Sequence, residues 1–416
     1  MYYAGRTPDP MFKGRHASEW IDDLDQKDEQ ARDKARAAVN ELGAQALPQL
    51  LVRLQAQDSH LKSRAMEWLA KRTGRSMVRY MAEHQHRVSD LGFMLLGEKA
   101  APAIPELMEL TANSASMSRA ADALQRIGKP AIPALLEGLG SPEPLTRQVA
   151  CWRLGSMRVA EATPPLIVLL RDTDARVRND AAEALGEIQY PIVPIRTAVL
   201  ALLRDRDADV RATAVKVTGS FPLGEEEFAQ LLARASDPQP SVRAAVPGAV
   251  WRHSERHQQI IEAFATLLRD PREDVRNQTV SHLRAMQLGK LEPPAFVFCS
   301  FELSIRDEEA ARALVTPQLR TAEVRARADI LLPPLIELLA DRNLETVRIA
   351  VATLGDMGRD AAVSAPKLEI LATRPVPPSD FTLGRIREAA ARSFRQVTGR
   401  VTDPSKPVIS MIPAGD

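Results

Sequence analysis

The chain has 416 residues, and its 55 Lys and Arg residues nearly balance its 54 Asp and Glu residues. That balance argues against a protein that holds nucleic acid by bulk positive charge. Aromatic residues make up only 4%, and the two cysteines are too few for a disulfide framework or a Cys-based zinc site.

From the N-terminus, residues 1–16 are predicted to form an arm, followed by helical hairpins from residue 17 onward. In each hairpin the first helix ends near a glycine and the second begins near a proline. The pairs are Gly43 and Pro48, Gly97 and Pro102, Gly128 and Pro130, and Gly155 and Pro164. Residues 17–288 are therefore predicted to form an N-terminal array of hairpins.

A repeat of 32 or 33 residues becomes clear in the middle of the chain. Val-Arg pairs stand at residues 177–178, 210–211, 242–243 and 275–276, and an Asp lies six residues before each Arg. In the first of these units Val177, Ala181 and Leu185 share one face of a helix, which Gly186 is expected to close. A period of this length predicts an all-α, right-handed α-solenoid of about 11 to 12 stacked hairpins.

The repeat is interrupted at residues 289–330, where the next Val-Arg pair is delayed. This segment contains Phe296, Phe298 and Phe301, and it is either an insertion or a degenerate repeat. Insertions in repeat arrays often map to the binding face. Residues 331–400 are predicted to form a C-terminal array, and residues 401–416 an extended tail.

The pattern Leu-Leu-x-Asp, Val-Arg and Ala-Leu-Gly resembles HEAT repeats of the short bacterial type, also called phycobilisome-lyase-type repeats. The resemblance covers roughly residues 17–400. In that family the Asp and Arg side chains form a ladder of hydrogen bonds between successive repeats. The resemblance implies this structural role for Asp172, Asp205, Asp237, Asp270 and Asp341, and for Arg178, Arg211, Arg243, Arg276 and Arg348.

No phosphate-binding loop or nucleophile motif is found in the sequence, and we expect neither enzymatic activity, nor a cofactor, nor a metal. The preferred function is a scaffold that binds an unidentified protein through the concave face of the solenoid, lined by the second helices. Candidate partner-binding residues are Glu137, Arg171, Arg196, Arg204, Glu337, Phe296, Phe298 and Phe301. No signal peptide or membrane-spanning run is visible, so a cytoplasmic protein is expected.

Two alternatives stay open. Residues 62–87 carry seven basic residues, of which Lys71, Arg72, Arg75 and Arg79 could hold the phosphates of a nucleic acid, as in HEAT-like repair glycosylases. A solvated charged helix face is the commoner explanation of such a run. The second alternative is an enzyme similar to the HEAT-like chromophore lyases, although no motif specific to them is present.

Overall fold

The computed structural model describes residues 7–58, 64, 65, 68, 72, 81–190, 192–251, 253, 256–287, 328–374 and 381–401. The chain divides into two compact units, Met1–Ala198 and Val199–Asp416. Within the described ranges both units are built from helical hairpins, as the sequence predicts. Stacked hairpins identify the fold class as an α-solenoid.

In unit 1 a short hairpin of two strands precedes the helices. The strands are β1 (Met11–Phe12) and β2 (Arg15–His16). The helices are α1 (Ala17–Asp22), α2 (Glu29–Leu42), α3 (Leu47–Leu54), α4 (Ala82–Leu96), α5 (Ile104–Leu110), α6 (Met117–Ile127), α7 (Ile132–Gly138), α8 (Pro144–Ser156), α9 (Thr163–Leu169) and α10 (Ala175–Ile188). Helix α11 (Ile192–Ala201) spans the boundary between the units.

The N-terminal arm folds back onto α1. Lys13 and Gly14 both have positive φ angles, as a two-residue hairpin turn requires. The Trp20 indole donates a hydrogen bond to the Phe12 carbonyl at 3.0 Å, and Asp9 accepts bonds from the backbone and hydroxyl of Ser18. These bonds join the strands to the first layer, and the hairpin is the only β structure among the described residues.

The core is made mainly of Leu, Val, Ile and Ala side chains, and Phe93, Phe228 and Phe264 are also fully buried. Leu124, Leu154 and Leu185 are fully buried on the first helices α6, α8 and α10, which contact one another in sequence. At Gly155 a Cβ atom would lie 2.6 Å from the Cα atom of Ala184. Only glycine allows α8 and α10 to approach so closely, and small residues therefore take the place of aromatic ones where these two helices meet.

Unit 2 continues the same alternation of longer first helices and shorter second helices. Its helices are α12 (Ala208–Thr218), α13 (Glu225–Leu232), α14 (Pro240–Val250), α15 (His257–Leu267), α16 (Glu273–Gln287), α17 (Ala328–Glu337), α18 (Leu344–Met357), α19 (Ala365–Thr373) and α20 (Phe381–Thr398). Short 3-10 segments such as Leu202–Arg204 and Leu338–Ala340 precede the turns that carry Asp205 and Asp341.

The stack in unit 2 continues across the interval between α16 and α17. First helix α16 contacts first helices α14 and α18, and second helix α17 contacts second helix α15. Helices α16 and α17 are thus the two halves of one layer. The predicted interruption at 289–330 falls between these halves, and α17 begins inside it, at Ala328.

A second interval lies in unit 1, between α3 and α4. Asp58 accepts a hydrogen bond from the backbone N–H of Ala82, the first residue of α4, at 2.9 Å. Helix α4 packs directly against α2 and α3. Residues on the two sides of this interval therefore belong to neighbouring layers, whereas the interval in unit 2 lies within one layer.

Candidate functional site

The Arg–Asp ladder is the most regular polar feature of the stack. Arg211 on α12 donates two parallel hydrogen bonds to Asp237 in the turn before α14, at 3.0 and 2.9 Å. Its Nη1 atom also donates to the Asp205 carbonyl, six residues earlier, at 2.9 Å. One guanidinium therefore holds its own turn and the turn of the next layer at once.

Each ladder Asp also shapes the turn that precedes the next first helix. The Oδ1 atom of Asp237 accepts the backbone N–H of Gln239, the residue immediately before α14, at 3.0 Å. Asp172, Asp205, Asp270 and Asp341 make the same bond to the residue two positions later. Such turns are typical of Asp, so the spacing of the ladder follows from the local turn.

The rungs are shielded from solvent. The Asp237 side chain is 1% exposed and that of Arg211 12%. Burial alone would raise the pKa of Asp237, but hydrogen bonds from Arg211 and Gln239 outweigh it and lower that pKa. The pKa of Asp341 is lowered in the same way by Arg276 and Asn343. Both carboxylates are held ionised, and these side chains act as structural groups.

The predicted ladder is largely present, with one addition and one correction. Complete pairs are Arg147–Asp172, Arg211–Asp237, Arg243–Asp270 and Arg276–Asp341. Arg178 donates to the Asp172 carbonyl at 3.0 Å, and Arg147 was missed. Arg348 was wrongly included. It pairs with Glu345 of its own helix, because it lies seven residues after Asp341 and a seventh residue points about 100° away from a sixth on a helix.

A histidine contacts the preceding turn at the start of α4. The His86 Nε2 atom lies 2.7 Å from the Ala56 carbonyl. Burial lowers the pKa of His86. A depression of about 220 Å³ opens here, lined by Leu54, His86, Arg87, Ser89, Asp90, Phe93, Arg119, Asp122 and Ala123. Its acidic groups are already paired, since Asp90 binds Arg126 and Asp122 binds Arg153.

A second regular feature lies on the second helices of unit 1. Helices α3, α5, α7 and α9 each have a proline at their second position, and the residue two positions later is a fully buried Leu. The residue four positions after each proline points away from the core and is exposed. We call these four residues, Val52, Glu109, Glu137 and Val168, the outward row.

The outward row has an apolar residue at each end and two carboxylates in the middle. Val52 is 49% exposed and Val168 is 71% exposed. Among the described residues, neither Glu109 nor Glu137 forms an ion pair. Glu106 lies one turn before Glu109, and burial together with the charge of Glu109 raises the pKa of Glu106. The row is therefore an acidic, partly apolar surface with no cation of its own.

The predicted partner-binding residues are spread over several surfaces. Glu137 belongs to the outward row, whereas Arg171 and Arg204 are exposed beside the ladder Asp residues and Arg196 is half-buried. Glu337 forms an exposed bidentate ion pair with Arg269, at 2.9 and 2.8 Å. The three phenylalanines Phe296, Phe298 and Phe301 lie outside the described residues, so their role stays a prediction.

The predicted polyanion-binding residues are mostly beyond what the structure describes. Lys71, Arg75 and Arg79 fall outside the described residues. The Arg72 guanidinium lies 5.3 Å from the ring centre of Trp68, an exposed side chain. Such a cation–π contact is common at exposed sites and does not by itself indicate a phosphate site.

Sequence reasoning missed Glu109, Val52 and Val168. The signal that could have found them was present, because Pro48, Pro105, Pro133 and Pro164 mark the same position in four second helices. Counting four residues onward from each proline gives the outward row. The prolines mark the starts of helices, and the register that they share also gives the row.

Within the described ranges, no group of three or more His, Cys, Asp or Glu side chains is arranged to hold a metal ion. None of the described helices combines the length and the apolar character that a membrane span needs.

Comparison with known proteins agrees with the repeat architecture. The sequence profile of HEAT repeats matches residues 132–196, and no curated protein matches the sequence. Kap95p, solved bound to RanGDP, is 14% identical with a TM-score of 0.50, covering 93% of this chain and 56% of that chain. YibA of E. coli is 17% identical over 69% of this chain and 92% of its own, with a TM-score of 0.48. At 14% identity the similarity to Kap95p shows the fold alone.

Proposed function

We propose that the chain, of which residues 132–196 match the sequence profile of HEAT repeats, is a non-enzymatic scaffold that binds a protein partner on its second helices. Stacked repeats present an extended surface on which every layer contributes side chains at the same position. We predict that this surface lies on the concave side of the solenoid.

The observation that carries this proposal is the outward row. Large aliphatic side chains scattered singly on a surface need no explanation. Here, however, Val52, Glu109, Glu137 and Val168 occupy one register in four successive layers, with every buried Leu two positions earlier. A partner that crosses the layers would meet these four residues in order. Regular spacing of this kind supports binding of an extended segment better than binding of a small molecule.

The proposal is tested by capturing partners from cells that express the protein naturally. Val168→Arg places a charge in the outward row without touching the core, since Val168 is 71% exposed. Val363→Arg is the matched control, because Val363 is 67% exposed and lies in the turn before α19. We expect a protein retained by the wild type and by Val363→Arg, and lost from Val168→Arg.

Two outcomes count against the proposal. If the wild-type protein retains no stoichiometric protein, the scaffold function itself fails. If a partner is retained equally by both variants, a scaffold function remains but the outward row is not its binding surface. Circular dichroism of each variant shows whether the substitution has altered the helices.

A further inference from the structure

The charged residues of the two helices in the middle of the outward row are all acidic. Helix α5 contains Glu106 and Glu109, helix α7 contains Glu137, and neither helix contains Lys or Arg. Elsewhere in unit 1, exposed carboxylates such as Asp90 and Asp25 bind arginines. The three glutamates on α5 and α7 have no such partner among the described residues. A surface that concentrates unpaired carboxylates attracts cations and repels anions.

Two of these carboxylates lie close together on α5. Glu106 is half-buried and one turn from Glu109, so the two carboxylates repel each other. A cation placed between them would relieve that repulsion. Neither α5 nor α7 supplies such a group, whereas a basic partner segment would.

We propose that the outward row binds a partner segment with two basic side chains one layer apart, flanked by apolar residues. This inference rests on the proposed scaffold function and adds the chemistry of the segment. Glu109 and Glu137 would each take one basic group, and Val52 and Val168 would cover the apolar residues at its two ends. Nucleic acids and acidic segments carry the wrong charge for this surface.

The spacing of the layers sets the spacing of the basic residues. Packed helices lie about 8–10 Å apart, and α5 contacts α7 directly. A polyproline II segment presents every third residue on one face, about 9 Å apart. A segment of the form apolar-x-x-basic-x-x-basic-x-x-apolar therefore matches the order Val52, Glu109, Glu137 and Val168. Met108 packs against Gly138 between the two helices.

The test uses the full chain and a fluorescent decapeptide, Leu-Pro-Pro-Arg-Pro-Pro-Arg-Pro-Pro-Leu, followed by anisotropy. The wild type is expected to bind it, with an affinity that falls as NaCl is raised. The double variant Glu109→Lys, Glu137→Lys is expected to bind at least tenfold more weakly. A second peptide with Glu in place of both Arg residues is expected not to bind.

The matched control is Glu98→Lys with Glu183→Lys. These residues are exposed glutamates of unit 1 away from the second helices, so this variant carries the same net charge as the row variant. It is expected to bind the arginine peptide within about twofold of the wild type. Equal weakening of both variants would reduce the effect to net charge and overturn the inference.

Two further results would also overturn it: no binding of the arginine peptide to the wild type, or equal binding of the arginine and glutamate peptides. These results are separable from failure of the scaffold function. A natural partner that is lost from Val168→Arg but retained by Glu109→Lys, Glu137→Lys would leave the scaffold in place and exclude only a basic segment.

Discussion

Two aspartates have opposite effects on the stability of the fold. Asp237 is buried, and two hydrogen bonds from the Arg211 guanidinium and one from the Gln239 backbone keep it ionised. Asp180 on α10 is substantially buried without such an arginine, and burial raises its pKa to about 6. The first carboxylate stabilises the fold at neutral pH, and the second opposes it.

Replacing Asp237 by Ala should destabilise unit 2 by about 3–5 kcal/mol, because Arg211 would keep a charge in a shielded position without its partner. Denaturant-induced unfolding measures the change. The control is Asp33→Ala, which removes an exposed ion pair with Arg36 and should alter the free energy of unfolding by less than about 1 kcal/mol. Similar losses in both variants would contradict a structural role for the rung.

Replacing Asp180 by Asn should stabilise unit 1 at pH 7. The unfolded carboxyl titrates near pH 4, so between about pH 4 and 6 the folded protein binds more protons and becomes more stable as the pH falls. Asn cannot ionise and avoids the penalty. We expect a gain of about 1–2 kcal/mol at pH 7, allowing for partial exposure, which vanishes near pH 4. A gain that is equal at both pH values would exclude this cause.

At the scale of the helices, apolar periodicity was enough to predict the hairpins. The resemblance to HEAT repeats implied the ladder, and Asp237, Asp270 and Asp341 each pair with an arginine that it implied. The ends of helices were harder. Gly186 was expected to close α10, which instead continues to Ile188 and ends with Gln189 in a left-handed conformation. Tertiary packing of Ile188 extends this helix beyond its glycine, and local propensity does not contain that information.

The position of the outward row and the ion pair across the interval between α16 and α17 depend on which helices are neighbours in space. The sequence alone does not show this. Arg276 is 65 residues from Asp341, and no local pattern joins residues at that distance. Asp341 was recognised through its own Leu-Leu-x-Asp motif, but its partner was expected on Arg348. The register of the layers, which decides the pairing, becomes visible only when α16 and α18 are seen side by side.

Shortening the interval between α16 and α17 should leave the stack intact. The change replaces residues 288–327 by the turn 219–224, which joins α12 to α13. Helices α14, α16 and α18 keep their contacts, so we expect unfolding to stay cooperative. The control also deletes α17, with buried Leu331 and Leu335, and should lose cooperative unfolding. Loss of cooperative unfolding in the first variant would refute the continuity of the layers.

For the whole molecule, the neighbour-to-neighbour contacts predict that damage stays local. Leu185 is fully buried on α10, and Leu185→Asp places an unpaired charge in the core of one layer. Amide hydrogen exchange should rise most in α8 and α10 and fade toward α2. Leu124→Asp on α6 provides the comparison, with its maximum shifted toward the N-terminus. A uniform rise along unit 1 in either variant would mean that the layers unfold as one.

The pairing of Arg276 with Asp341 has a consequence for where the chain can accept inserted sequence. The loop that this rung closes is 65 residues long, against 27 for Arg243 and Asp270. Because closure entropy rises only with the logarithm of loop length, the longer loop costs about 0.8 kcal/mol more. Removing one partner of a buried ion pair costs about 3–5 kcal/mol, several times that amount. Distance along the chain and adjacency in space are therefore nearly independent here, and new sequence can enter a hairpin turn at little thermodynamic cost.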